Sequence, residues 1–190
     1  MQPALELLTD PIAEIAPIAR FADAMSALAG GVVLVTCWVG DRPWGTTVTA
    51  FASVSADPPT VLVSLGTETV SARAITPAGR FGVSILAADQ VAVARHGSVP
   101  GAAKFLDPLT ETGHASNASP VVAGALAHLD CEVADVARVA DHAVFFGLVR
   151  AARSSAGGAP LLYHRRDYRM LGPRATPCLE AEGSATCFVC

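Results

Sequence analysis

The stretch GTTVTAFASVSADPP, residues 45–59, decides the fold. Read in twos, Val48, Ala50, Ala52 and Val54 fall on one side, while Thr47, Thr49, Ser53 and Ser55 fall on the other and Phe51 interrupts them. Successive side chains of a strand point to opposite faces, so the alternation predicts one half-buried strand with a hydroxyl-bearing face. Asp57-Pro58-Pro59 ends it, because proline has no N–H for a ladder and holds the residue before it extended. On pattern alone, a row of hydroxyls along a strand is a solvated face.

Working outward, Gly31 to Val39 is nearly all apolar and β-branched, and Gly40-Asp41-Arg42-Pro43 reads as a turn, so this run pairs antiparallel with the central strand. Before it, Phe21, Ala24, Met25 and Leu28 recur at helical spacing within residues 20–29, until Gly30-Gly31 stops the helix. After it, Thr60 to Leu65 is a strand that opens into a polar loop over 66–71. Ser71 to Thr76 reads as a helical turn stopped by Pro77, Arg80 to Leu86 as a strand, and Ala87 to His96 as a helix. Ala125 to Val136 and His142 to Ala151 are long strands around a charged turn containing Arg138 and Asp141, and Pro160 leads into Leu161-Leu162-Tyr163. Short strands, Gly/Pro turns and few helices predict a mainly β barrel or sandwich.

At 190 residues the chain fits one domain. We expect an N-terminal arm over 1–19, the domain over 20–171 and a disordered tail over 172–190, where Gly, Pro, Ala, Thr and Cys replace any periodic pattern. Hydrophobic residues make up 52% and mean hydropathy is +0.44, yet no apolar run reaches the roughly 18 residues of a membrane span. The excess instead suggests a filled barrel and a buried subunit interface. Glu6, Asp10 and Glu14 precede the first basic residue, Arg20, the wrong charge order for a secretory signal, so we expect a cytoplasmic protein. A net charge of −4 without a basic run disfavours nucleic acid. The five histidines show no zinc-like spacing with Cys or carboxylate, and no metal is expected. Cys37 and Cys131 sit in strand-like runs and read as buried small hydrophobes, while Cys178, Cys187 and Cys190 cluster near the end, the last two as C-x-x-C.

The order Gly-x-Thr-x-Thr-Ala-Phe-x-Ser-Val-Ser-x-Asp-Pro-Pro resembles the signature strand of the flavin reductase-like family, whose members bind FMN or FAD in a split, Greek-key β-barrel. Gly30 to Thr36, Gly79 to Leu86, Ala140-Asp141-His142 followed by Phe146 to Val149, and Pro160 to Tyr163 with Tyr168 resemble further family segments in the same order. The resemblance runs from about Phe21 to Leu171.

That resemblance implies site residues. Thr47, Val48, Thr49 and Ala50 would line the flavin ring, and Leu65, Gly66, Thr67 and Ser71 would follow the ribityl chain and phosphate. Lys104, before Phe105, matches a family position often Arg or Lys and would pair with the phosphate. His142 would bind or orient the nicotinamide of NADH or NADPH, with Tyr163, His164 and Arg165 along the nicotinamide nucleotide and Arg165-Arg166 offering charge to its pyrophosphate. Ala140 stands where the family usually has Gly, and Ser84 where it often has Asn. No Rossmann fingerprint is present, so the nicotinamide would bind without that fold. The implied function is an NAD(P)H:flavin oxidoreductase, working as a homodimer and passing reduced flavin to a partner monooxygenase. The alternatives are a flavoprotein with tightly bound FMN acting on an organic or peptide substrate, and a non-catalytic flavin-binding protein.

Overall fold

The structure, a computed structural model, describes residues 17–111 and 119–172. Most of the expected arm, His114 and the cysteines at 178, 187 and 190 lie outside the described residues.

Residues 45–59 are two strands rather than one. β2 (Val33–Val39) pairs with β3 (Arg42–Val48), whereas β4 (Phe51–Ala56) pairs with β5 (Pro59–Gly66). At Thr49-Ala50 the chain leaves one ladder for the other: the Phe51 N–H donates to Thr49 O at 2.9 Å and the Ser64 N–H to Ala50 O at 3.0 Å. The alternation resumes in phase after Phe51, which alone interrupts it here, so side-chain pattern did not reveal the change of partner. Pro59 opens β5 opposite Ala56 and does not lie beyond a strand end.

β6 (Arg80–Ile85), β7 (Ala127–Val139) and β8 (His142–Ser154) complete a seven-stranded antiparallel sheet ordered β3-β2-β6-β7-β8-β5-β4. Its two end strands are consecutive in sequence, with only Thr49 and Ala50 between them, so the sheet must curl until its ends meet. The result is a barrel with a seam that no ladder closes. The connection from β5 through α2 (Val70–Ala78) to β6 passes over β7 and β8, which makes the path a Greek key. The barrel is filled by Val33, Val35, Val63, Phe81, Val83 and Phe145, with Ile75 of α2 capping one end. Cys37 and Cys131 are free thiols within that core.

A second cluster, with Val32, Leu34, Leu86, Leu106 and Leu161, packs outside the barrel against Ala94 of α3 (Val91–Ser98). The helix begins four residues later than the periodicity suggests, because the Gln90 side-chain carbonyl accepts the Ala87 N–H at 2.9 Å and holds 87–90 as a turn. α2 likewise runs past Pro77, which lies in its last turn, and ends on Gly79 in the left-handed region at φ 65°. Ser84 stays in the core, where its Oγ accepts the Val122 N–H and lies 2.9 Å from His128 Nδ1.

A small sheet, β1 (Gly30–Gly31), β9 (Leu162–His164) and β10 (Asp167–Arg169), extends the molecule beside β3. α1 (Ile18–Ser26) is fastened to it by polar contacts: the Arg165 N–H donates to Ser26 O at 2.7 Å, and Arg166 pairs with Asp23 at 2.7 Å. No residue of α1 is buried.

The β7–β8 turn is shorter than the charged turn expected, since β7 runs to Val139 and leaves only Ala140-Asp141. Ala140 adopts φ 51°, where an L side chain crowds its own backbone. Ala140→Gly should therefore stabilise the protein by about 0.5–1 kcal/mol, read as a higher denaturant midpoint with an unchanged slope.

Candidate functional site

β3 is an end strand, and its outer edge organises the site. The Gly45 N–H donates outward to Lys104 O at 3.1 Å, and the Leu106 N–H donates to Pro43 O at 2.8 Å, so residues 104–106 cover the first part of that edge. Outward-facing groups recur every second residue of an antiparallel strand, which turns the backbone of Thr47 outward as well, while Thr49 lies in the bend just beyond the end of β3. Beyond Gly45 this edge borders a groove. α3 approaches it closely: Thr47 Oγ1 donates to Ala94 O at 2.7 Å, and a Cβ on Gly97 would stand 3.0 Å from Thr47 N. The missing Cβ is what lets α3 pack this close to Thr47.

The groove consists of linked depressions. The largest, about 790 Å³, lies between the first turn of α2, the 98–104 loop and Asp141, and includes Trp44, Thr46 and Thr47. A middle one of about 270 Å³ shares Thr47 and Ser98 with it and adds Val48, Thr49, Tyr163 and Tyr168. The far one, about 390 Å³, shares Thr49 and Tyr163 and is walled by Ala50, Arg166 and Met25 and Leu28 near α1. From Trp44 to Ala50 the groove follows roughly 20 Å of chain.

At the wide end, α2 begins with Thr69 as N-cap, its Oγ1 accepting the Ala72 N–H at 3.2 Å. The helix thus turns its N-terminal N–H groups and positive dipole end toward the cleft. Lys104 is the only cation lining the cleft among the described residues, and partial burial pulls its pKa below the usual lysine value. It is held in place because its own carbonyl is tied to Gly45, while His96 Nε2 donates to Phe105 O at 2.9 Å and Arg42 stacks 3.7 Å over the Phe105 ring. Glu68 and Asp141 also reach the cleft, but each has a counter-group: Glu68 pairs with Arg73, and His142 Nδ1 lies 2.8 Å from Asp141 Oδ1. That hydrogen bond holds the Asp141 carboxyl below its ordinary range.

The structure brings together Thr47, Gly66, Thr67 and Lys104 in the cleft, Val48 and Tyr163 in the middle, and Thr49 and Ala50 toward the far end. Leu65 points into the barrel core, and Ser71 is fully buried behind Thr46. His142 is half-exposed at the rim beside Asp141. Arg165 is exposed in the β9–β10 turn at φ 48°, and neither it nor His164 lines the groove, whereas Arg166 does. Thr46, Thr69 and Ser98 line the cleft unanticipated. Thr69, a hydroxyl residue just before a helix, carried a capping signal, but Thr46 occupied a position that the motif leaves open.

An open strand edge with small neighbours and, at the wide end of the same groove, a helix N-terminus and one lysine make a barrel protein with a long groove whose wide end suits an anion. The sequence matches the flavin reductase like domain over residues 25–172, and the chain belongs to that family. It is 34% identical to the reductase component of a 4-nitrophenol 4-monooxygenase/4-nitrocatechol 2-monooxygenase of Rhodococcus opacus, over 84% of this chain and 86% of that protein. It is 35% identical to an NADH:riboflavin 5'-phosphate oxidoreductase of Streptomyces pristinaespiralis, over 84% of this chain and 90% of that one. The Streptomyces globisporus NADH:FAD oxidoreductase in complex with NAD and FAD fragments superposes with a TM-score of 0.76 at 30% identity, covering 86% of this chain and 99% of that one.

The lysine sets a pH dependence. A pKa lowered by burial means that the charge disappears at lower pH than in an ordinary lysine, so a phosphate held by Lys104 would bind fully below that pKa and lose affinity as pH rises through it. Titrating FMN affinity from pH 7 upward should show this loss beginning below 10.5, and Lys104→Met should weaken binding at pH 7 and flatten that part of the profile.

Proposed function

We propose that the chain is an NADH-dependent flavin reductase that supplies reduced FMN or FAD to a partner monooxygenase in the cytoplasm. The observation that carries this reading is the open edge of β3: the outward backbone of Thr47 leads to Lys104 and the α2 N-terminus, and the residues present fit a flavin phosphate ester. The Thr47 N–H offers a donor to polar ring atoms, Val48, Thr49 and Ala50 leave room for a flat ring, and Lys104 with the first turn of α2 receives the phosphate. When bound, the flavin supplies a hydride acceptor for the nicotinamide.

The protein's own contribution is alignment. Tyr163 and Tyr168, edge-on with ring centroids 5.3 Å apart, wall the middle of the groove, while α1 closes its far side and excludes water there. His142, at the rim and hydrogen-bonded to Asp141, orients the nicotinamide nucleotide, and Arg166 offers charge to its phosphates. The chain works as a homodimer. Ile18, Phe21, Met25 and Leu28 recur along one side of α1 and the residues following it, all largely exposed, and Val54 of β4 is 42% exposed, an apolar surface that a second copy would cover.

The test is NADH and NADPH oxidation at 340 nm with and without added FMN or FAD. Flavin-dependent NADH oxidation is expected, and its absence would remove the reductase reading. His142→Ala should raise the nicotinamide KM several-fold while circular dichroism stays unchanged, and unaltered kinetics would take His142 out of the site. Thr49→Trp should obstruct the groove and abolish flavin-dependent turnover; normal flavin affinity in that variant would place the ring elsewhere.

A further inference from the structure

Lys104 reaches the wide cleft from a segment that belongs to no barrel strand, so contacts outside the barrel ladders must decide where its charge stands. Two backbone hydrogen bonds, from the Gly45 N–H to Lys104 O and from the Leu106 N–H to Pro43 O, dock the segment on the edge of β3. Gly45 makes the approach possible, since a Cβ there would stand 2.7 Å from Leu106 Cδ1. These bonds fix how far the backbone lies from β3. A pair of bonds along one edge still lets the segment roll about its own axis, and that roll would swing Lys104 across the cleft.

Arg42, the first residue of β3, stops the roll. Its Nε and Nη2 donate to the two carboxylate oxygens of Asp107 at 3.1 and 2.9 Å, a bidentate fork. The same guanidinium lies 3.7 Å over the Phe105 ring, and that ring meets Trp44 edge-on at 5.0 Å between centroids, with 89° between the planes. One side chain therefore grips the segment at 105 and at 107, on either side of Leu106. Neighbouring side chains of an extended segment leave it on opposite faces, so a fixed Phe105 ring also fixes the direction of Lys104.

An isolated ion pair between half-exposed groups contributes little. Three contacts from one planar group do more, because the fork fixes the plane of the guanidinium and that plane fixes the ring beneath it. Arg42 does not line the cleft, and its charge is balanced by Asp107. Its influence on an anion in the cleft runs through the segment that carries Lys104.

We infer that Arg42 is a positioning residue for the phosphate end of the groove: by holding Asp107 and Phe105 together it fixes the segment that carries Lys104, and so sets the affinity for the flavin's phosphate. The inference rests on the flavin reading above. Neither Arg42 nor Asp107 touches the ligand. Arg42→Lys would keep the charge but lose both the fork and the stacking plane.

The experiment measures dissociation constants by quenching of flavin fluorescence, with FMN and with riboflavin, which has no phosphate. Arg42→Gln should raise the FMN constant about three- to fivefold and leave riboflavin unchanged. Arg42→Lys should lose nearly as much, and Asp107→Asn, which leaves the ring contact in place, somewhat less. In a Lys104→Met background Arg42→Gln should cost nothing further, because the charge that it positions is gone. Equal losses for both flavins in Arg42→Gln, or no loss for either, would overturn the inference. So would full FMN affinity in Arg42→Lys, or the same loss with and without Lys104. If the unaltered protein quenches neither flavin, the flavin reading fails and the inference falls with it.

Discussion

A strand at the end of a sheet cannot leave its outward N–H and C=O groups buried and unpaired, and the candidate site is this protein's answer to that constraint at β3. Residues 104–106 satisfy the edge at Pro43 and Gly45. They go no further, and from Thr47 onward the edge stays open to the groove. The segment that covers the first half also delivers Lys104 to the cleft, so the placement of the charge and the exposure of the donors follow from one short run of backbone pairing. A fold that closed its seam with a full ladder would have neither.

The same economy governs the side chains. Threonines on the cleft wall secure the backbone around it: Thr47 holds α3, Thr67 holds the β7–β8 turn, and Thr69 caps α2. The Thr69 bond to Gly66 O is local, while those of Thr47 and Thr67 tie segments far apart in sequence to the cleft wall. The cleft is therefore preorganised by groups that look, from their residue types, like ligand contacts. Gly97 contributes by what it lacks, since its missing side chain lets α3 pack directly against β3 at Thr47.

Much of this was legible in the sequence, and the limits have physical causes. The barrel strands were visible because half-buried or fully buried strands carry alternating or continuous apolar runs. The break at Thr49-Ala50 was missed because pairing partners change there while side-chain alternation resumes in the same phase beyond Phe51. Leu65 and Ser71 lie next to true lining residues in sequence, but one points into the barrel and the other faces Thr46 from the first turn of α2, an orientation that only helix phase and packing decide. Thr46 escaped notice because the motif leaves its position open, and its contact with buried Ser71 joins residues 25 apart in sequence. The resemblance supplied the flavin itself, since residue pattern alone shows hydroxyls and a strand but no ring.

The electrostatics of the cleft bear on what kind of flavin protein this is. A tightly held cofactor phosphate is normally met by several cations or by a deep nest of N–H groups. Here one partly buried lysine and one helix start face the cleft, and two carboxylates stand nearby, bonded to Arg73 and His142. The groove is bounded by β3 on one side and by loops and α1 on the others. In the proposed reading such a site would orient a flavin without holding it for long. A reductase that hands reduced flavin to another enzyme must release its product, so the modest charge of the cleft suits the proposed role better than a permanent prosthetic site would.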